Sequence, residues 1–327
     1  MQFKCRIFAV LLLALLASAS CTEMEQPVRE ETPISFSAVV SGDMPATKAE
    51  GMIDESRLKA AGFGVFGCYT GLYRYSESDV NSSFMYNQKV KWVSGDGRWE
   101  YEPVKYWPGE EDHYVSFFAY APYSPGDGTG CIPSYVRYQE TGDPWILYRI
   151  ADRIADQVDL LYATPLLDQT RPAVNERLEF NFKHALACVG EKVTVSTNVT
   201  NSNYVIHLKE VSIDYTLTAK GRLVLWNKGS ANWSAVLSEN VVTVRSVSLL
   251  TAGNESLPKT FTDQGLFCIP VEAAGYPQKA TVKVTYIIDY NDSTIPDVER
   301  STTAELPLKG LIEEGKVLDI NINLNAE

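Results

Sequence analysis

The chain has 327 residues, of which 45% are hydrophobic, and a formal net charge of -12. That apolar fraction supports a packed core and excludes disorder throughout. The length suits two domains of common size, and the acidic balance excludes nucleic acid as a partner, because a phosphate backbone selects a basic face.

Residues 1–20 read as an export signal. Lys4 and Arg6 give a positive start, Ile7–Leu16 is apolar, and Ala17–Ser20 are small. The apolar run is too short to span a bilayer comfortably. Cys21 follows directly. Ser18-Ala19-Ser20-Cys21 resembles a bacterial lipobox, with Ser18 where Leu is usual. The resemblance implies lipidation of Cys21, and several acyl chains on one Cys would hold the protein at a membrane surface. Loss of residues 1–20 leaves 27 basic against 41 acidic residues, a net charge of -14.

Residues 21–33 form an acidic tether after Cys21, with Pro27 and Pro33. In Ile34–Val40, the residues Ile34, Phe36, Ala38 and Val40 share one face of an extended strand. Gly42, Asp43 and Pro45 end it, and Lys48 lies just beyond in an exposed segment. On residues alone this is an edge strand followed by a loop.

Residues 49–165 are expected to make an N-terminal sandwich. Residues 62–69 form a buried strand whose glycines mark close backbone approach. Phe84–Tyr101 holds two aromatic-rich strands around a Ser94–Gly97 turn. Val115–Tyr120 is a nearly continuous apolar strand. Asp152–Leu161 shows a short helical pattern at best. Pro165 and Pro172 mark a linker over 166–177, which places the domain boundary there.

Residues 178–327 read as a C-terminal sandwich. Alternating strands are predicted over Leu178–His184, Glu191–Val199, His207–Tyr215, Val241–Leu249, Thr281–Asp289 and Thr302–Leu308. The cleanest alternation comes last. Leu318, Ile320, Ile322 and Leu324 oppose Asp319, Asn321, Asn323 and Asn325. This comb is either the last strand of its own sandwich or an inserting strand. The expected fold is all-β, two sandwiches with minor helix.

No catalytic pattern is present. Cys68, Cys131, Cys188 and Cys268 remain after Cys5 leaves with the signal and Cys21 takes the lipid. Their spacing suggests no metal site. Four cysteines allow three pairings, and buried free thiols are equally consistent with their apolar contexts. His113, His184 and His207 lack metal-ligand spacing and read as structural or surface residues. Glu110-Glu111-Asp112 reads as a solvated turn. G-x-S-x-G, P-loop and Rossmann patterns are missing. The expectation is a non-enzyme without cofactor or metal. Trp92, Trp99, Tyr106 and Trp107 are candidates for sugar stacking, but at strand period they read as core.

Several motifs together resemble the fimbrillin superfamily of Bacteroidetes, subunits and accessory proteins of type V pili. They are the lipoprotein start, Ile34-x-Phe36 followed by Ala46-Thr47-Lys48-Ala49, and Phe63-Gly64-Val65-Phe66. Next come Phe84–Gln88, Trp92, Trp99-Glu100-Tyr101, Pro103 and Lys105-Tyr106-Trp107-Pro108. Phe117–Tyr123, Asp159–Ala163 and Phe180-x-Phe182-x-His184-Ala185-Leu186-Ala187 complete the set. The resemblance implies two transthyretin-like β-sandwiches and a lipoprotein on the outer membrane surface, built into a fimbrium. It implies that an Arg- or Lys-specific protease cuts between Lys48 and Ala49, with Lys48 in place of the common Arg. The strand Ile34–Val40 then leaves, and a donor strand from another subunit fills the groove by β-augmentation. The donor candidate is Leu318, Ile320, Ile322 and Leu324. Implied partners are other fimbrial subunits, the protease, the outer membrane and a host or bacterial surface receptor. The alternative is a non-polymerising surface lipoprotein that binds glycans.

Overall fold

A computed structural model describes residues 31–41, 52–79, 81–125, 142–174, 176–201, 203–226, 233–235, 242–251, 253–262, 265–272 and 277–325. The first half contains β1 (Phe36–Val40), α1 (Glu55–Ala61), β2 (Phe63–Gly71), β3 (Met85–Val93), β4 (Arg98–Glu100), β5 (Tyr114–Ala121), β6 (Trp145–Arg149), β7 (Leu161–Ala163) and β8 (Leu166–Gln169). The second half contains β9 (Leu178–His184), β10 (Ala187–Thr197), β11 (Tyr204–Thr218), β12 (Lys220–Val224), β13 (Trp233–Ala235), β14 (Val242–Leu250), β15 (Glu255–Ser256), β16 (Lys259–Thr262), β17 (Leu266–Cys268), β18 (Lys279–Tyr290), β19 (Val298–Pro307) and β20 (Val317–Leu324).

Period-2 alternation explains most of these strands. In β9, Phe180, Phe182 and His184 point inward while Glu179, Asn181 and Lys183 face water. The first sheet runs β1-β9-β7-β5-β2-β3-β4, with β8 also on β5. A second sheet joins β16, β10 and β17, with β20 on β10. A third runs β14-β11-β18-β19, with β15 on β11. The fourth is β13-β12-β6.

Three cores separate these layers. One face of the first sheet contributes Phe36, Phe63, Phe117, Phe180 and Phe182 to the first core. The opposite face sends Phe66, Phe118 and Tyr120 to a second core, where they meet Ile146, Tyr148, Leu223, Trp233 and Phe267. The third core fills the space between the β10 and β11 sheets with Val193, Val195, Val211, Ile213, Val282 and Ile320. The all-β sandwich fold expected from the sequence is therefore present.

The expected division at 166–177 does not coincide with strand pairing. β8 falls inside that stretch and pairs with β5. β9, assigned to the C-terminal half, hydrogen-bonds to β1 and β7 in the first sheet. β6, assigned to the N-terminal half, pairs with β12. Prolines bracket β8 without preventing a short strand between them, which is why their density misleads.

Helix α1 lacks the apolar periodicity that marks a helix in sequence. Its signals are local: Asp54 Oδ1 accepts the Arg57 N–H at 2.9 Å, and Gly62 closes the helix at φ 70° with its N–H on the Leu58 carbonyl. Only Leu58 of the helix is fully buried, so a hydrophobic stripe was absent. Over Asp152–Leu161 the backbone forms a single 3-10 turn at Ile154–Asp156.

Cys68, Cys188 and Cys268 are buried free thiols, and Cys131 lies outside the described residues. Ala187 stands opposite Cys268 and Cys188 opposite Phe267, so Cys188 and Cys268 face opposite sides of their sheet. Cys188 enters the second core and Cys268 the third. Burial pushes the Cys68 thiol up to about 11, which keeps it protonated and unreactive.

Gly64 supports the expectation of close approach. A Cβ there would meet the Tyr120 ring at 2.5 Å and Asn87 Oδ1 at 2.7 Å. Tyr120 is wholly buried and donates its hydroxyl to Asn87 at 2.7 Å, so neither neighbour yields cheaply. Gly64→Ala is expected to destabilise the fold by about 1–3 kcal/mol, the usual range for overpacking. Thermal unfolding checks this, and an unchanged midpoint would show that the ring can shift.

Candidate functional site: the groove beneath the first strand

The residues Ile34, Phe36, Ala38 and Val40 occupy a groove at the edge of the first sheet. β1 runs parallel to β9, with Phe36 opposite Leu178 and Val40 opposite Phe182. Just outside the ladder, the Leu178 N–H donates to Ser35 O at 2.9 Å and the Ser41 N–H to Phe182 O at 2.8 Å. The other side of the strand entry is held by the 101–107 loop. The Ile34 N–H donates to Lys105 O at 2.8 Å, and the Trp107 N–H to Thr32 O at 3.0 Å. The Tyr101 hydroxyl donates to Ile34 O at 2.7 Å.

The side chains alternate as strand geometry requires. Ile34, Phe36 and Ala38 are buried, and Val40 packs partly buried against the same core. Phe36 sits in an aromatic box, with ring centroids of Phe180, Tyr101 and Phe117 at 5.3, 5.5 and 5.7 Å. Such pairs add to the area term through their edge and offset contacts. Without β1 the box would open to water.

Lys48, Ala49 and Cys21 lie outside the described residues. The chain is described again from Met52, and Met52 and Ile53 are buried. The Ile53 N–H donates to Asp159 Oδ2 at 3.1 Å, and Arg57 Nη1 donates to Met52 O at 2.6 Å. From Met52 onward the backbone is thus held by hydrogen bonds that do not involve β1, while Ile53 packs in the same core as Phe36 and Ala38.

Asp159 is the node the sequence concealed. Its Oδ2 also pairs with His184 Nδ1 at 2.6 Å, and its Oδ1 accepts the Leu160 N–H at 2.8 Å. Both side chains are almost fully buried, and His184 ends β9, the strand on which β1 docks. Burial pulls the His184 imidazole pKa down, but the hydrogen bond and charge of Asp159 outweigh it, and it lies above its usual value. His184 and Asp159 are 25 positions apart, so no local spacing signals the pair.

The second candidate strand is engaged elsewhere. β20 lies parallel to β10, with Ile320 opposite Val193 and Leu324 opposite Thr197. Ile320 and Leu324 are buried in the third core, and Leu318 and Ile322 pack partly buried against it. The Thr197 hydroxyl donates to Leu324 O at 2.9 Å. β20 therefore completes its own sandwich in this state. The first and last strands share one docking mode, each joining in parallel one of the successive strands β9 and β10.

The aromatic group is mostly core. Trp99 and Trp107 are buried, with Trp99 against Phe63 at 4.8 Å and Trp107 against Phe117 at 6.1 Å. Trp92 packs on Trp99, and Tyr106 alone of the four is exposed. A sugar-stacking platform built from these four residues is not assembled.

A stack of antiparallel sheets whose terminal strands dock in parallel defines this molecule as an all-β sandwich protein. Residues 57–325 match the family model described as Fimbrillin-like, and the chain belongs to that family. The chain is 26% identical over 266 residues to fimbrium subunit Fim1C of Phocaeicola vulgatus, covering 78% of this chain and 68% of that protein. A fimbrial protein of Bacteroides vulgatus has a similar fold, with a TM-score of 0.66 at 22% identity over 90% of this chain and 96% of that one. The resemblance read from the sequence motifs holds at the level of the family.

Proposed function

We propose that this chain is a structural or tip/accessory subunit of a surface fimbria, not an enzyme. It is exported as a lipoprotein through Cys21 to the outer membrane. A protease specific for Arg or Lys cuts after Lys48, β1 leaves, and a strand of another subunit takes its place in support of adhesion. The observation that carries this reading is the seating of β1. Its apolar teeth fill an aromatic groove, while the backbone downstream is tied at Ile53 to Asp159, a residue outside β1. An occupant held by a ladder and side-chain pockets is what a replacement strand reproduces. Membership of the Fimbrillin-like family and the Fim1C relative support the role.

Limited trypsin treatment of the purified full chain tests it. A discrete cut near Lys48 followed by SDS-resistant ladders is expected. A cut product that stays monomeric with residues 34–40 still docked would overturn strand replacement.

A further inference from the structure

Large apolar side chains that face water are not spread evenly over the molecule. Of the nine that are exposed among the described residues, six lie at one end of the first sheet: Tyr69, Leu72, Tyr73, Val104, Tyr106 and Val174. Leu72, Tyr73 and Val174 are the most exposed, at 66%, 67% and 68%. The strand registers bring them together. β2 ends at Gly71 opposite Tyr114, where β5 begins. β8 ends at Gln169 opposite Val115, so Val174, between β8 and β9, falls at the same end. β1 enters there too, since the Ile34 N–H donates to Lys105 O and Pro33 bridges to Tyr106. Side-chain contacts join these pieces. Lys105 Nζ lies 5.7 Å from the Phe84 ring centre, Phe84 lies 6.3 Å from the Tyr69 ring, and Tyr69 hydrogen-bonds to His113. Arg74 stands over the Tyr114 ring at 5.5 Å.

Exposed apolar residues gathered from separate loops mark an interaction surface. What covers it follows from the path of the chain. Residues 22–31 lead from Cys21 to Thr32 at this end, so acyl chains on Cys21 are covalently held within about 40 Å of it, even at full extension. Such a leash keeps the surface beside a bilayer at an effective concentration on the order of millimolar, and weak interfacial contacts then suffice. The chemistry suits the headgroup layer. Tyrosines alternate with aliphatic side chains, and Lys105 and Arg74 are cations held over rings. Glu110, Glu111 and Asp112 are exposed at the same end. Their carboxylates are costly to bring into hydrocarbon, which limits the contact to the interface.

We infer that this end of the first sheet is a bilayer-docking surface, seated on lipid headgroups while Cys21 is acylated. This rests on the lipoprotein reading above and adds an orientation to it. β1 runs from the docked end to Ser41, roughly 20 Å farther from the bilayer at the rise of a strand. The chain therefore passes to residue 42 on the side away from lipid, within reach of an external protease.

The test uses the acylated full chain in phosphatidylcholine vesicles that carry a headgroup nitroxide lipid as quencher. A fluorophore is attached through Leu72→Cys, Val104→Cys or, between β18 and β19, Ile295→Cys. The parent chain treated with the same reagent gives the background. The labels at positions 72 and 104 are expected to lose most of their emission, and the label at 295 little. Adding Leu72→Asp and Tyr73→Asp is expected to restore emission at 104 with an unchanged melting temperature, because both side chains face water. Equal quenching at 72 and 295, no quenching at 72 in chains that float with vesicles, or unchanged quenching at 104 in the Asp variant overturns the docking surface and leaves the lipid anchor standing. Shielding of the label at 72 in detergent as protein concentration rises assigns the surface to a second copy and overturns bilayer docking. Absence of acyl chains on Cys21 by mass spectrometry overturns the two readings together.

Discussion

Phe36→Ala in the uncut chain is expected to lower the unfolding free energy by about 3–5 kcal/mol, the range for truncating a buried phenylalanine. The ring touches three others across the groove, so its loss leaves a cavity lined by Phe180, Tyr101 and Phe117. Those neighbours come from β9, the 101–107 loop and β5, and are fixed by separate strands and hydrogen bonds. They collapse poorly into the gap, which puts the cost toward the upper end. The loss should be felt first as local opening of β1, since one edge of the strand pairs with β9 alone. Urea unfolding gives the total, and hydrogen exchange at the Val39 and Ser41 amides gives the local part. An effect within about 0.5 kcal/mol, the range of surface substitutions, would mean that the ring contributes no packing.

Asp159→Ala should cost a similar amount, about 3–5 kcal/mol, because removing one member of a buried charged pair strands the other. Here the remaining imidazole keeps no partner at Nδ1, and its Nε2 already has none among the described residues. The Ile53 and Leu160 amides lose their acceptor as well. The pair also sets a pH dependence. The folded-state pKa of His184 lies above its usual value near 6.5. The stability it contributes is complete below that usual value and is lost as pH rises through the folded one. Urea midpoints of the parent chain should carry this downward component above pH 6.5, and His184→Gln should remove it. An identical pH profile for parent and variant would show that the pair does not titrate in this window.

The sequence made the period-2 elements plain. β1, β9 and β20 show in their alternation, and the β3–β4 hairpin shows in its turn residues, because a half-buried strand writes its geometry directly into side-chain polarity. Gly64 was readable as a place of close approach, though not that Tyr120 is what approaches. Non-local pairing was not readable. β9 carries the same alternation whether it joins β1 or a C-terminal sheet, and nothing in β6 signals its pairing with β12, so prolines do not mark where strand pairing divides. The Asp159–His184 pair was hidden for the same reason, since its partners meet only through the fold. Helix α1 had caps but no stripe. At the candidate groove, the teeth were legible and the aromatic box was not, because Phe36, Tyr101, Phe117 and Phe180 are far apart in the chain.

The covalent path from Ser41 to Met52 through residues 42–51 sets how firmly β1 is retained. While that path is intact, the strand meets its seat at an effective concentration on the order of millimolar, whatever the dilution of the sample. Once the path is opened, the strand is a separate molecule, and its occupancy follows mass action. A micromolar population then faces an empty seat about a thousandfold more often than a tethered one does, by the same ratio of concentrations. Hydrolysis of one peptide bond would thus convert a permanent occupant into a competitor without altering a single contact in the groove.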